Sequence, residues 1–194
     1  MQSLDCRQQK CPHPVIETRK LILASSGGPL EVLVGDETAR DNVTRFAESQ
    51  GYGVSVAPAE GGFALRLTPG AKPASDAPEP AVTGRTLVYI AADVMGSGSD
   101  ELGHILLKNF LFTLAELESR PDALFFVNAG VKLVCKNSEV RETLEKLACE
   151  GVDIAACGLC LEYFHLKDQV AVGRVTNMLD IVTSLSQAGR IIRP

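Results

Sequence analysis

Two cysteine motifs carry the chemistry that this sequence offers: Cys11-Pro12-His13-Pro14-Val15 and Cys157-Gly158-Leu159-Cys160. A cysteine reacts as its thiolate, and the thiolate is favoured where positive charge or unpaired backbone N–H groups surround it. Proline suits the first position of a helix, because the N–H it lacks would have had no partner there. A helix opening at Pro12 leaves Cys11 at or near the N-cap, where free N–H groups and the positive end of the dipole stabilise an anion. A terminal persulfide, R–S–S⁻, gains in the same way as a thiolate. Lys10 and Arg19 add positive charge. The competing reading is a buried cysteine ahead of a proline-opened helix.

In the second motif the C-x-x-C spacing allows the Cα separation that a disulfide needs. It is the spacing of redox-active pairs and also of half a zinc site. Gly158 lets the backbone turn tightly. Redox or sulfur chemistry, a metal site and a structural role all remain open on spacing alone. Structural zinc usually takes two close pairs. The only other close pair is Cys6 and Cys11, in a different part of the chain, and His13, His104 and His165 are scattered, so no metal site is expected. Cys135 follows the strand-like run Val131–Val134 and reads as a half-buried thiol. Cys149 lies beside Leu147 in an amphipathic helix and reads as core. A Cys6–Cys11 bridge is a further reading. The turn Met95-Gly96-Ser97-Gly98-Ser99-Asp100 matches no phosphate-binding pattern, and Ser97, Ser99 or Asp100 is more simply a helix cap.

The elements that must position these thiols follow from composition and periodicity. The 194 residues are 45% hydrophobic and 22% charged, which fits a folded chain of one to two domains and argues against disorder. No apolar run reaches the ~20 residues of a membrane span. The first ten residues lack the apolar core of a secretion signal, so a cytoplasmic protein is expected. A pI near 5.3 gives no electrostatic footprint for nucleic acid. Six cysteines in such a chain point to reactivity rather than to staples.

Residues 68–84 hold four of the ten prolines and little that can build a core. They read as a linker between units at 1–67 and 85–194. The first unit alternates: a strand at Ser3–Asp5, a helix from Pro12 to Ser25, a strand at Leu30–Val34, a helix at Glu37–Gln50, then a hairpin of Tyr52–Ala57 and Gly62–Leu67. This β-α-β-α-β-β order predicts two helices on one face of a four-stranded sheet, a two-layer α/β sandwich. In the second unit apolar strands at Thr86–Ala91, Ala123–Val127 and Val152–Ala156 alternate with helices at about Asp100–Leu117, Ser138–Glu150 (capped by Asn137 or Ser138) and Asn177–Gln187. Arg190–Ile192 is a last strand. That pattern predicts a three-layer α/β fold around a mainly parallel sheet, with Cys157 at a carboxyl edge, where such folds place their sites.

Residues 1–67 resemble the SirA/TusA-like sulfur carriers, through Leu4-Asp5, Cys11-Pro12-x-Pro14-Val15 with Thr18-Arg19-Lys20, Val32-x-Val34 and the Asp41, Phe46-Ala47, Gly51 pattern. The resemblance implies that Cys11 carries sulfur as a persulfide. That family usually has a glycine in the loop before its cysteine, and Arg7-Gln8-Gln9-Lys10 has none. Residues 85–194 resemble the DsrE-like sulfur-relay family where Val152–Ala156 runs into Cys157, which implies that Cys157 accepts sulfur and that Cys160 resolves it. The fusion of both halves with a CGxC at this place is similar to the YedF group of selenium-metabolism proteins, as are the Met95–Gly103 stretch and Val175-Thr176-Asn177-Met178.

Together these imply a sulfurtransferase-like carrier of sulfur or selenium that relays from Cys11 to Cys157. Its partners would be a persulfide or selenium donor protein and a downstream acceptor protein. The chemistry needs no metal and no organic cofactor, and the resemblance leaves room for a homo-oligomer through the DsrE-like part. Two other readings stand beside it. One is a thiol–disulfide oxidoreductase using Cys157 and Cys160, with the first unit as a docking module. The other is a non-catalytic scaffold for protein partners.

Overall fold

The computed structural model describes residues 2–10, 12–25, 27–70 and 84–194. The chain divides into two compact units.

In the N-terminal unit the elements are β1 (Gln2–Cys6), α1 (His13–Ala24), β2 (Leu30–Val34), α2 (Glu37–Ser49), β3 (Tyr52–Ala59) and β4 (Gly62–Pro69). The sheet order is β1-β2-β4-β3, with β1 parallel to β2 and the other pairs antiparallel. Alternate residues of β2 (Leu30, Val32, Val34) and of β4 (Leu65, Leu67) face the helices and are fully buried with Val43, Ala39 and Ala47 of α2. Each such Leu or Val contributes about 1.5–3 kcal/mol through burial. The expected two-layer sandwich is what forms.

Two boundaries differ from expectation. Pro12 is the N-cap of α1 rather than its first helical residue, and Pro14 sits in the first turn. In the first turn the N–H that Pro14 lacks would have had no intrahelical partner, and its carbonyl accepts from the buried Thr18 hydroxyl at 2.7 Å. Thr68 and Pro69, read as linker, extend β4 to pair with Gly53 and Tyr52. Residues 71–83 of that linker lie outside the described residues.

In the C-terminal unit β5 (Thr86–Ile90), β6 (Ala123–Phe126), β7 (Asp153–Cys157), β8 (Arg174–Thr176) and β9 (Arg190–Ile192) form one parallel sheet in the order β8-β7-β6-β5-β9. The helices are α3 (Asp100–Ala115), α4 (Arg141–Cys149), α5 (Gly158–Tyr163) and α6 (Met178–Ser186). Strands β5 to β8 step one way across the sheet and β9 returns to the far edge. Right-handed crossovers therefore put α3 and α4 on one face and α6 on the other. Both faces are covered, so β6 reads Ala-Leu-Phe-Phe with every residue buried.

Several local expectations fail here. Asn128–Val134 is a 3-10 helix, not a strand. Asn128 takes a positive φ of 47°. Gly130 is pressed so tightly against the Ile90 carbonyl that a side chain there would collide with it. That turn coils the run too soon for it to reach a sheet edge. Helix α4 starts at Arg141 with Val140 as a cap lacking side-chain hydrogen bonds, because the Ser138 hydroxyl is spent on the Val140 N–H at 3.3 Å in the preceding turn. Cys149, read as core, is exposed near the end of α4, while Leu144 and Leu147 fill the core side. Ser99 does cap α3, accepting from the Leu102 N–H at 3.3 Å. The strand β8 and the short helix α5 are additional elements.

Candidate thiol sites

The first site is flanked by described residues on both sides, but Cys11 itself lies outside them. Before it, the Gln9 N–H donates to the Cys6 carbonyl at 3.0 Å and turns the chain out of β1. After it, the His13 N–H donates to the Lys10 carbonyl at 3.1 Å, and the Pro12 carbonyl receives the first bonds of α1 from Val15 and Ile16. Lys10 is exposed and Arg19 is half-buried. The loop is anchored by Arg7, which the sequence did not single out. Its guanidinium holds both oxygens of Asp5, and its Nη1 donates to the Glu60 carbonyl at 2.8 Å, tying the loop to the β3–β4 hairpin. The Arg7 hydrogen bonds hold the Asp5 carboxyl down to about 2.

Cys6 is a free thiol with no solvent exposure; Cys11, the other half of the expected Cys6–Cys11 bridge, lies outside the described residues. Burial first, and then the nearby Glu17 and Asp5 charges, push its thiol up to about 11. It is a core residue.

The second site is built at the carboxyl edge of the parallel sheet. Cys157 is the last residue of β7 and is 2% exposed; Cys160 follows one turn later in α5 and is part-exposed. The Cys160 Sγ accepts from the Asn128 backbone N–H at 3.1 Å. Both thiols, Cys157 and Cys160, are free. Burial raises the Cys160 thiol above its ordinary value, the Asn128 N–H lowers it, and the neighbouring Cys157 raises it further. Cys160 therefore rests as a thiol.

Gly158 is not in the left-handed region, so a tight turn is not why it is glycine. Its reason is crowding by β8: a Cβ there would lie 3.1 Å from Val175 Cγ1 and 3.3 Å from the Thr176 carbonyl. Asn128 is the contributor that sequence reading missed. The available sign was an asparagine directly after the apolar run Phe125-Phe126-Val127, since asparagine tolerates the left-handed conformation that the turn requires.

Cys135 is buried rather than half-buried, and its thiol donates to the Val131 carbonyl at 3.4 Å. It lines a cleft of about 840 Å³ with His104, Lys132, Val140 and Leu166. Cys157 and Cys160 do not line that cleft. Two ion pairs span its rim, Lys108–Glu139 and Lys132–Asp93. Among the described residues no cluster of His, Cys, Asp and Glu is placed to hold a metal ion. No helix among them is long and apolar enough to cross a membrane.

Comparison with known proteins falls on the same two units. Residues 2–68 match the family described as Sulfurtransferase TusA, and residues 92–194 match the DsrE/DsrF-like family. A Methanocaldococcus jannaschii protein named as a sulfur carrier is 40% identical over 58 residues, which is 29% of this chain and 77% of that one. The solved SirA-like protein of Desulfitobacterium hafniense is 31% identical, covering 37% of this chain and all of that one, with a TM-score of 0.33. The E. coli ychN structure is 15% identical, covering 57% of this chain and 99% of that one, with a TM-score of 0.46. The chain thus belongs to the DsrE/DsrF-like family through residues 92–194 and to the TusA family through residues 2–68.

Proposed function

We propose that this protein is a two-unit carrier of sulfane sulfur, loaded at Cys11 and discharged through Cys157 and Cys160. The observation that carries the reading is the pair of free thiols, Cys157 at the end of β7 and Cys160 one turn later in α5, joined in one chain to a TusA-family unit. The Cys11 thiolate attacks the outer sulfur of a donor protein's persulfide, forming Cys11–S–S⁻ and releasing the donor thiolate. The Cys157 thiolate then attacks the outer sulfur, and Cys11 leaves as thiolate. Cys160, deprotonated, attacks the Sγ of Cys157–S–SH. The Cys157–Cys160 disulfide forms as hydrosulfide departs, and an external dithiol returns the pair to the reduced state. Transfer to an acceptor protein would replace that last release. Lys10, Arg19 and the α1 N-terminus with Pro12 and Pro14 would favour the anionic forms at Cys11. Selenium follows the same steps, and the similarity to the YedF group is what brings it into the reading. The working boundaries are 1–67 and 85–194.

The test is incubation of the reduced full chain with a persulfide donor. Site-resolved mass spectrometry should find about 32 Da added on Cys11, or about 79 Da with a selenium donor. Free loading of Cys157 with nothing on Cys11 would sink the relay. A second reading, a thiol–disulfide oxidoreductase confined to Cys157 and Cys160, is favoured by the part exposure of Cys160. It predicts that Cys11→Ser keeps full disulfide-exchange activity, whereas the relay predicts loss of sulfur transfer.

A further inference from the structure

Strand β8 is three residues long and lies at the edge of its sheet. So short a ladder holds little alone, yet this strand lies directly against Cys157. Cys157 pairs in register with Thr176, and Ala155 with Arg174. Register partners in a parallel ladder present their side chains to the same face, so Asp153, Ala155 and Cys157 share a face with Arg174 and Thr176.

On that face one guanidinium joins three elements. Arg174 Nε and Nη2 donate to the two oxygens of Asp153 in β7, at 2.9 and 2.8 Å. Its Nη1 donates to Oδ2 of Asp180 in the first turn of α6, at 2.8 Å. The Thr176 hydroxyl, one of the few buried polar groups, donates to that same Asp180 oxygen. Asp180 is itself held, its N–H donating to the Asn177 side chain at 3.0 Å. Paired, bidentate arginine–carboxylate contacts are at the strong end of ion pairs. Behind the strand, Val175 and the Thr176 carbonyl close on Gly158.

We infer that Arg174 is a positioning residue for the Cys157 site: by clamping β8 and the first turn of α6 onto β7, it sets how often the Cys157 thiol is reached from outside. Short edge elements open by local unfolding well below the global stability, and their ties set how often they do so. The inference rests on the reading of Cys157 as a reacting thiol, but its test involves no sulfur chemistry.

The reduced full chain is alkylated with iodoacetamide over time, and each cysteine is read by mass spectrometry. Arg174→Met keeps the stem and removes the clamp; it should raise the Cys157 rate by about tenfold. Asp180→Asn removes one of the two acids and should raise it less, which also serves if the first variant does not fold. Arg174→Lys restores a point charge without the fork and should fall between Met and the parent. Cys135, equally buried in the same core, is the internal reference and should not change. A Cys157 rate equal to the parent's in both variants overturns the inference. So does a rise at Cys135 in step with Cys157, which would mean general loosening. A failed clamp leaves persulfide loading intact, and a failed carrier reading leaves the alkylation result intact.

Discussion

Cys6 and Cys157 occupy equivalent places: each is the last residue of a strand, β1 or β7, and each is almost wholly withdrawn from solvent. Their surroundings separate them. Cys6 sits in a two-layer unit, with Glu17 and Asp5 opposing its ionisation and the Arg7 anchor closing the loop beyond it. Cys157 sits at the carboxyl edge of a sheet covered on both faces, with a second thiol one turn away and a backbone N–H on that partner. A buried strand-end cysteine is therefore not a site by position. In the relay proposed above, the partner thiol and the local donor are what set Cys157 apart, and Cys6 is the built-in control.

Core truncation should separate the two settings most strongly. The N-terminal core holds few fully buried side chains, and the C-terminal one holds many more, including Phe125 and Phe126. Leu65→Ala should cost about 2–5 kcal/mol and Phe125→Ala about 3–5 kcal/mol. That loss should unfold the smaller unit and leave the larger one folded. Hydrogen exchange resolved by unit checks this, and equal tolerance in both units would break the comparison.

Next comes alkaline pH. The Cys6 thiol is raised from 9.0 to about 11 in the folded state, so the native chain binds more protons than the unfolded one across that window. Stability from this thiol is complete below 9 and is lost as pH climbs toward 11, by up to about 3 kcal/mol. Cys6→Ala should flatten that part of the curve in denaturant titrations. At the other cysteine pair the same physics is kinetic. Cys160 is raised above 9.0, so hydrosulfide release should still be accelerating as pH passes that value.

Smaller effects follow from local geometry. Gly158→Ala must push Val175 or the Thr176 carbonyl aside, for about 1–2 kcal/mol, with faster alkylation at Cys157 but not at Cys6. Asp36→Ala removes the cap whose carboxylate accepts from the Ala39 N–H at 2.7 Å, for about 1 kcal/mol in the N-terminal unit only.

Much of this architecture is legible in the residues. The alternating Leu30-Glu-Val-Leu-Val34 strand and the glycines that close α1 and α2 define the first unit by local rules. The all-apolar strands of the second unit announce a covered parallel sheet. What is hidden depends on distant contacts. Val131–Val134 has a strand-like composition but is coiled by a turn at Asn128 that packs under Ile90. Strand β8 is too short and too polar at Arg174 to register as a strand, and only its pairing with β7 makes it one. Cys149 neighbours Leu147 in sequence, but a step of two residues is about 200° round a helix, so it falls off the face that Leu144 and Leu147 bury. Both cysteine motifs stand out from spacing alone. That Cys157 is covered while Cys160 is part-exposed does not, because it depends on tertiary packing around the end of β7, where β8 pairs with it.

The central claim concerns where sulfur stops. In Cys160→Ser, loaded from a persulfide donor and followed by site-resolved mass spectrometry, the relay predicts first an adduct of about 32 Da on Cys11, then its accumulation on Cys157 without hydrosulfide release. The parent chain should release hydrosulfide and end with a Cys157–Cys160 disulfide. Hydrosulfide release from Cys160→Ser at the parent rate, or an adduct that never leaves Cys11, would contradict the account.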